Sequence, residues 1–486
     1  MIETSSDGYV QGGELLNLVD NFYIKKQTKF RVLELDATDL NLVNRLDIFI
    51  KLQAIPSVQA GIKNDYSTSL YEKHIVAITD GTCKENGNKN KDGIQSYFKY
   101  FKSIISSIQL RGFDSDVSLI PVNNSLEPLN GAHRIAAALY FNKKIKCIVC
   151  DEGMVDYGFK YFSKLNFEKY SLYQAVSIMQ KYQKDVLTGV VWPSSKVDVN
   201  KLFDNVVLEQ ELNLNTFGIK NFVINTYLNE GWLGIPEDNF LGAEGKSKPC
   251  TGLNQLKVFI FKVNNQNKVI DLKDKVRSGL GLGKHSVHIC DDQNDSYALT
   301  KFALNPNIEN ILNTIENYKF PEYLKQIIYI SKNKLQIKSK FILSGSSLLG
   351  LLSLREPNDI DYLAVNDLHY DNMDYHGDNN GHNSFSNIYQ NPYSHFYYFD
   401  ITFYSAQELV LFKRHRGEVK DFKDIDLIDG IIDDRRSKKA KLASKIKMNA
   451  TLFKLVIINK LKLMLLRFGI FNSVKTVYYF FKNKLG

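Results

Sequence analysis

The stretch Phe341–Val365 constrains the fold more than any other part of this chain. An apolar run, Phe341-Ile-Leu-Ser, ends in Gly345-Ser346; a helix-length segment follows, and Asp359-Ile-Asp361 leads into a second apolar run, Tyr362-Leu-Ala-Val365. That order reads as strand, tight turn, helix, strand. Alternate residues of a strand point to one side, so Asp359 and Asp361 are expected side by side at a sheet edge. A third carboxylate, Asp400, comes in Tyr397-Tyr-Phe-Asp400-Ile-Thr-Phe403, which reads as a neighbouring strand. Carboxylates meeting at one edge suit hard divalent cations, and paired metals clamp the attacking and leaving oxygens of phosphoryl transfer. The competing reading is a set of solvated surface carboxylates on an edge strand.

These residues resemble the nucleotidyltransferase superfamily of the DNA polymerase beta type, whose pattern is Gly-Ser or Gly-Gly, a spacer, Asp-x-Asp and a distant acidic residue. The resemblance covers Leu335 to Ile432. It implies that Gly345 and Ser346 hold a triphosphate and that Asp359, Asp361 and Asp400 ligate Mg2+ or Mn2+. Arg355 or Lys413 would offset developing charge, and Asp400 is a candidate base. Leu-Leu-Gly350 followed by Leu354-Arg355 is similar to the choline-phosphate transferase branch, which decorates surface glycans; that branch's Pro-Trp-Asp-Asp-Asp run is absent here. Lys413-Arg-His-Arg416 with Lys420-Asp421 is similar to the helix after the third carboxylate in small members. The implied donor is a nucleoside triphosphate or a CDP-activated alcohol, and the acceptor a sugar, polyol or glycan hydroxyl or a sugar phosphate.

A second constellation lies nearer the N-terminus. Leu119-Ile-Pro-Val-Asn123 is followed by Pro128-Leu-Asn130-Gly131-Ala132-His133-Arg134, an alanine-rich run to Leu139, and Lys143-Lys-Ile-Lys-Cys-Ile-Val149. Strand, glycine turn, helix and strand in that order place His133 and Arg134 at a helix N-terminus, where free N–H groups and the dipole attract anions. The stretch resembles the ParB and sulfiredoxin fold, whose shared motif is Asp-Gly-x-His-Arg at a phosphate-binding turn. The resemblance implies nucleotide or phosphate binding at Asn130, Gly131, His133 and Arg134. Asn130 replaces the usual Asp, and Ala132 occupies the place of the sulfiredoxin nucleophile, which excludes cysteine-sulfinate reduction. The plainer alternative is that His133 and Arg134 cap and brace the turn.

Charge is unevenly distributed. Of the 62 Lys and Arg residues, 14 lie in 435–486, a segment without Asp or Glu; the remaining 434 residues carry 48 basic against 53 acidic side chains. Phe453, Ile457, Leu461, Met464 and Phe468 recur at helical spacing within that basic tail. Interrupting lysines argue against a spanning helix, which needs ~20 mostly apolar residues. A basic amphipathic segment reads as docking to an anionic membrane surface; packing on the acidic body and nucleic-acid binding are the alternatives. The opening Met1–Asp7 is polar and acidic, unlike a signal peptide. Five cysteines, with Cys147 and Cys150 alone close together, outline no zinc or disulfide framework and fit a reducing cytoplasm.

Between the modules, Val258–Val263 and Ser286–Ile289 read as strands and Val269–Arg277 and Ser296–Ala303 as helices. On a strand, His285 and His288 face opposite ways, which favours hydrogen-bonding roles over metal ligation. Asn366–Tyr393, rich in Asn, Asp, His and Tyr, reads as a long loop, either an acceptor lid with His376, Asp378 and His382 as candidate contacts or a mere spacer.

The expected fold is therefore a multidomain α/β and α+β chain. It comprises a ParB/sulfiredoxin-like domain (1–163), a central α/β domain (164–334), a nucleotidyltransferase-like domain (335–434) and a basic amphipathic tail (435–486). The expected function is a metal-dependent nucleotidyl- or phosphotransferase of bacterial surface-polysaccharide assembly, cytoplasmic and peripheral at the inner membrane face. An N-terminal nucleotide-binding or kinase-like module would make it bifunctional. The runner-up is a nucleic-acid-associated protein of partition, antitoxin or RNA-modifying type. The body's net acidity argues against that reading, because tracking a phosphate backbone requires a basic face.

Overall fold

Three small sheets, each drawn from one contiguous stretch of chain, organise the first 405 residues. The computed structural model describes residues 8–432 except 26, 86–90, 152, 204, 264–268, 281–282, 334–339 and 371; beyond 432 it describes Met464, Leu465 and Phe468. The expected membrane-docking segment, 435–486, thus lies outside the described residues save for those three. Among the described residues no helix is long and apolar enough to cross a membrane. The chain divides into two compact units, Met1–Ser405 and Ala406–Gly486. The break falls inside the segment 335–434 expected to form a single module.

The first sheet contains β1 (Tyr9–Gln11), β2 (Lys29–Asp36), β3 (Ile120–Val122) and β4 (Lys144–Val149) in the order β1-β2-β4-β3. β3 and β4 are parallel, with Ile120 beside Cys147, and the helix Ala132–Tyr140 makes the crossover. Ala136, Ala137 and Ala138 are fully buried there, and their small side chains let that helix sit close against the helices Leu46–Ala60 and Ile94–Arg111. Gly131 opens the helix at φ +88°, and a Cβ there would stand 2.5 Å from Ile120 Cδ1, so a side chain at this turn would be strained and would displace Ile120. Cys147 and Cys150 are buried and free. Burial raises their thiols to about 12 and about 11, which leaves them inert packing groups.

The second sheet has β5 (Val186–Val191), β6 (Val206–Leu212), β7 (Leu256–Lys262) and β8 (Val287–Ile289) in the order β6-β7-β5-β8, antiparallel throughout. Gly189 on β5 lies under the ring of Phe259 on β7, the space a side chain would need. The third sheet has β9 (Phe341–Leu343), β10 (Asp361–Ala364), β11 (Asp374–Tyr375), β12 (His395–Tyr398) and β13 (Ile401–Tyr404) in the order β11-β10-β9-β13-β12. The polar segment read as a loop, Asn366–Tyr393, therefore contributes both an edge strand, β11, and the helix Phe385–Gln390. The second unit contains the helices Ala406–Arg416 and Val419–Ile432.

An ion triad is buried at the start of the helix Leu46–Ala60. Arg45 holds Asp47 through two bonds, Nε to Oδ1 at 2.8 Å and Nη2 to Oδ2 at 2.9 Å, and Lys51 Nζ reaches Oδ2 at 3.3 Å. Burial alone would raise the Asp47 carboxyl, but Arg45 and Lys51 outweigh it and hold the group well below the ordinary range. Its folded value being depressed, Asp47 contributes stability above the unfolded carboxylate pKa and loses it as pH falls through the folded one. Asp47→Ala leaves two buried cations without their counter-ion and should cost about 3–5 kcal/mol in urea unfolding at pH 7. The gap from wild type should narrow as pH is lowered below ~4; a gap constant across that range would show that Asp47 acts by packing alone.

Candidate metal centre at the edge of the third sheet

The turn after β9 and the start of β10 are locked together. Ser344 N–H donates to Asp361 O at 2.8 Å, and Tyr362 pairs with Leu343 across the antiparallel strands. Gly345, at φ +58°, lies so close to Asp361 that a Cβ there would stand 1.8 Å from Asp361 Oδ2. Glycine at this turn therefore meets two demands, positive φ and the approach of a carboxylate. Ser346 follows, buried, at the start of the helix Ser347–Leu351. The Ser347 hydroxyl, also buried, has no hydrogen-bond partner among the described residues.

Asp359 precedes β10 and Asp361 begins it; with Asp374 of β11 they form a group whose carboxylate oxygens lie within 4.8 Å of one another. Asp361 and Asp374 are direct partners across the parallel pair β10–β11. Like charges placed opposite each other on neighbouring strands destabilise a sheet. His376, two residues after Asp374, offsets part of that repulsion, its Nε2 2.8 Å from Asp361 Oδ1. That bond, opposed by partial burial, raises the imidazole above its ordinary value, with the charges of Asp361, Asp374 and Asp359 adding to the effect. A cavity of about 330 Å³ adjoins the group, lined by Asp359 and Asp374 and by Glu322, Glu356, Tyr323 and Asn358.

Asp400 belongs elsewhere, and this corrects the sequence reading. The aromatic run Tyr397–Phe403 is two strands rather than one, because Phe399 and Asp400 form a hairpin turn at φ +50° and +56° between β12 and β13. β13 runs parallel to β9 with Phe403 beside Leu343. Asp400 is thus level with residue 340 while Asp361 is level with residue 344, about 13 Å apart along the strands at ~3.3 Å per residue. Its Oδ1 instead meets Lys301 Nζ at 2.6 Å. Asp374 stands beside Asp359 and Asp361 instead.

The remaining expected residues separate. Arg355 lies in the connection to β10, its Nη1 3.4 Å from Glu356 O. Lys413, in the second unit, is buried with Nζ 2.7 Å from Asp424 and 3.2 Å from Asp421, an internal counter-ion. His285 faces Cys250 at 3.8 Å, whereas His288 meets Tyr227 OH at 3.2 Å, so the two imidazoles have separate partners. On the N-terminal turn, Asn130 Oδ1 accepts from Gly131 N–H at 2.6 Å. His133 is buried, bonded to Tyr71 OH at 2.8 Å and packed on Phe101; Arg134 Nη1 donates to Leu119 O at 3.2 Å.

Sequence reasoning passed over Asp374 and named His376 only as a candidate lid contact. The signal was available: they alternate as Asp359 and Asp361 do, inside a segment whose polarity pointed to a loop. No family model, curated protein or solved structure matches this chain.

Gly345→Ala should lower stability by about 1–3 kcal/mol, since the new methyl meets Asp361 and the residue must keep positive φ. Denaturant titration checks this. An unchanged midpoint would show that Asp361 has room to move aside.

Proposed function

We propose that this chain is a metal-dependent nucleotidyl- or phosphotransferase acting on a hydroxyl of a sugar, polyol or glycan. The observation that carries the reading is the abutment of the Gly345-Ser346 turn and Asp361, with Asp359 and Asp374 alongside. Three carboxylates form a hard oxygen set, the donor chemistry that Mg2+ or Mn2+ prefers. Oxygens sharing an ion at ~2.1 Å lie at most ~4.2 Å apart, so the group needs only side-chain adjustment to suit either ion. Asp359, Asp361 and Asp374 would hold the ion, which supplies neutralisation of phosphate charge when bound.

The protein's own contributions follow from their positions. Gly345 lets the turn close onto Asp361, so a phosphate bound at the Gly345-Ser346 turn would lie beside an ion held by that carboxylate. The adjoining cavity, with four carboxylates among its lining residues and no lysine or arginine, suits an acceptor rich in hydroxyls better than a second phosphate. The same lining opposes a nucleic-acid backbone, which needs the opposite charge. The glycan context and the docking of 435–486 to an anionic membrane rest on the sequence resemblance and on that segment's charge.

The test is release of pyrophosphate or CMP by the full chain given each nucleoside triphosphate or CDP-alcohol, Mg2+ and a panel of sugars, polyols and their phosphates. Wild type should turn over at least one pair. Asp359→Asn, Asp361→Asn and Asp374→Asn should each lose ~100-fold or more, the several kcal/mol expected of charge neutralisation. Asp400→Asn should keep most of the activity. Equal behaviour of wild type and the double variant Asp359→Asn plus Asp361→Asn with every donor would sink the proposal.

A further inference from the structure

Three lysines and three tyrosines from distant parts of the chain gather at the end of the third sheet away from the Gly345 turn. Lys340 precedes β9, whereas Gly345 follows it, and Asp400 precedes the parallel strand β13. Tyr297 and Lys301, four residues apart, share a face of the helix Gln293–Ala303. Lys181 stands just after the helix Lys169–Gln180, Tyr389 lies on the helix Phe385–Gln390, and Tyr397 on β12.

The rings bring the ammonium groups together. Lys181 Nζ is 4.3 Å and Lys301 Nζ 5.1 Å from the centre of the Tyr297 ring. Lys301 Nζ is also 4.7 Å from the centre of the Tyr397 ring, and Lys340 Nζ 4.7 Å from that of Tyr389. The three phenols act on one another's ionisation, which places their hydroxyls close together. Lys301, with 14% of its side chain exposed, forms the floor, and Lys181 and Lys340 lie at the rim.

Counter-charge is scant here. Asp400 Oδ1 meets Lys301 Nζ at 2.6 Å, but among the described residues neither Lys181 nor Lys340 has an ion pair. The charges acting on Lys181 are those of Lys340 and Lys301. His395 adds none: it is buried, its Nδ1 is 2.9 Å from Ile388 O, and burial pushes its imidazole down to about 4. Three ammonium groups against one carboxylate leave two positive charges in excess. Loss of solvent lowers both Lys181 and Lys301 to about 8, Lys181 with the help of its two neighbours, a cost that an anion relieves.

We propose that this cluster binds a phosphate group, with Lys301 beneath it and Lys181 and Lys340 on either side of the entrance. Two surplus positive charges match a phosphate, which carries nearly two negative ones at neutral pH; a carboxylate would neutralise only one. Lysine serves such a ligand as a point charge, and phenol hydroxyls add donors to its oxygens. The inorganic ion and a small phosphate ester share this chemistry.

The inference stands apart from the transferase reading. Calorimetric titration of the full chain, in buffer containing EDTA, with inorganic phosphate, glucose 6-phosphate, sulfate and acetate tests it. Phosphate or the ester should bind at ~1 mM or below, and acetate at least ~10-fold more weakly, as expected when a charge-assisted bond is lost; the tighter of the first two identifies the free ion or an ester as occupant. Lys181→Gln and Lys340→Gln should each weaken that ligand ~10-fold, with unliganded melting temperatures near wild type. The double variant Asp359→Asn plus Asp361→Asn should bind it unchanged, which separates this site from the carboxylate centre. Sulfate, whose own charge is constant, should bind wild type more tightly at pH 7 than at pH 9, because lysines lowered to about 8 gain their protons in that interval. Absence of binding by phosphate and ester, acetate as tight as either, wild-type affinity in both lysine variants, loss of binding in the carboxylate variant, or sulfate affinity flat from pH 7 to 9 would overturn the proposal.

Discussion

Everything at the edge of the third sheet depends on one missing atom, the Cβ of Gly345. Without it the turn after β9 closes directly onto Asp361, and Ser344 N–H ties the turn to the same residue's carbonyl. That contact fixes where β10 begins, and the register with β11 then sets Asp374 opposite Asp361. The sheet thereby holds two carboxylates against their mutual repulsion, with a third just ahead of the strand. A folded protein keeps such an arrangement when a counter-charge compensates it. His376 supplies such compensation through its bond to Asp361.

The first sheet handles charge in the opposite sense. Arg45 and Lys51 are buried around one carboxylate, Asp47. An acidic cavity at one edge of the third sheet and a lysine cluster at the far end of its strands give a single compact unit two sites of contrary charge. In the low dielectric of a protein interior such differences act strongly on what can enter. The second unit uses charge differently again. Lys413, Asp421 and Asp424 neutralise one another inside a helical pair, which joins its two helices without presenting that lysine to a ligand.

Much of the local structure was legible in the sequence. The strands around Phe341–Leu343, Leu256–Lys262 and Lys144–Val149 follow their apolar runs, and the alanine-rich helix after Gly131 follows from small residues behind a glycine turn. Where the reading failed, local pattern and tertiary demand conflicted. The hairpin at Phe399–Asp400 was hidden because no glycine or asparagine marks it. Its positive-φ phenylalanine is held by burial and by a 2.7 Å bond from its N–H to Asn225, a residue far away in sequence. β11 was hidden by its polarity, since a two-residue edge strand needs little apolar surface.

The sequence by itself determined the chemistry at hand: a Gly-Ser turn, a pair of alternating aspartates, and a glycine-led helix with histidine and arginine at its start. These are consequences of spacing, which short-range sterics translate directly into geometry. Which third carboxylate joins the pair, which lysines gather at the far end of the third sheet, and which histidine is spent on the core were decided by tertiary structure alone. Strand order and register bring Asp374, and not Asp400, to Asp361, and helix packing buries His133 against Tyr71 and Phe101 while Arg134 reaches the Leu119 carbonyl. Such choices depend on contacts between residues distant in the chain, which no local pattern encodes.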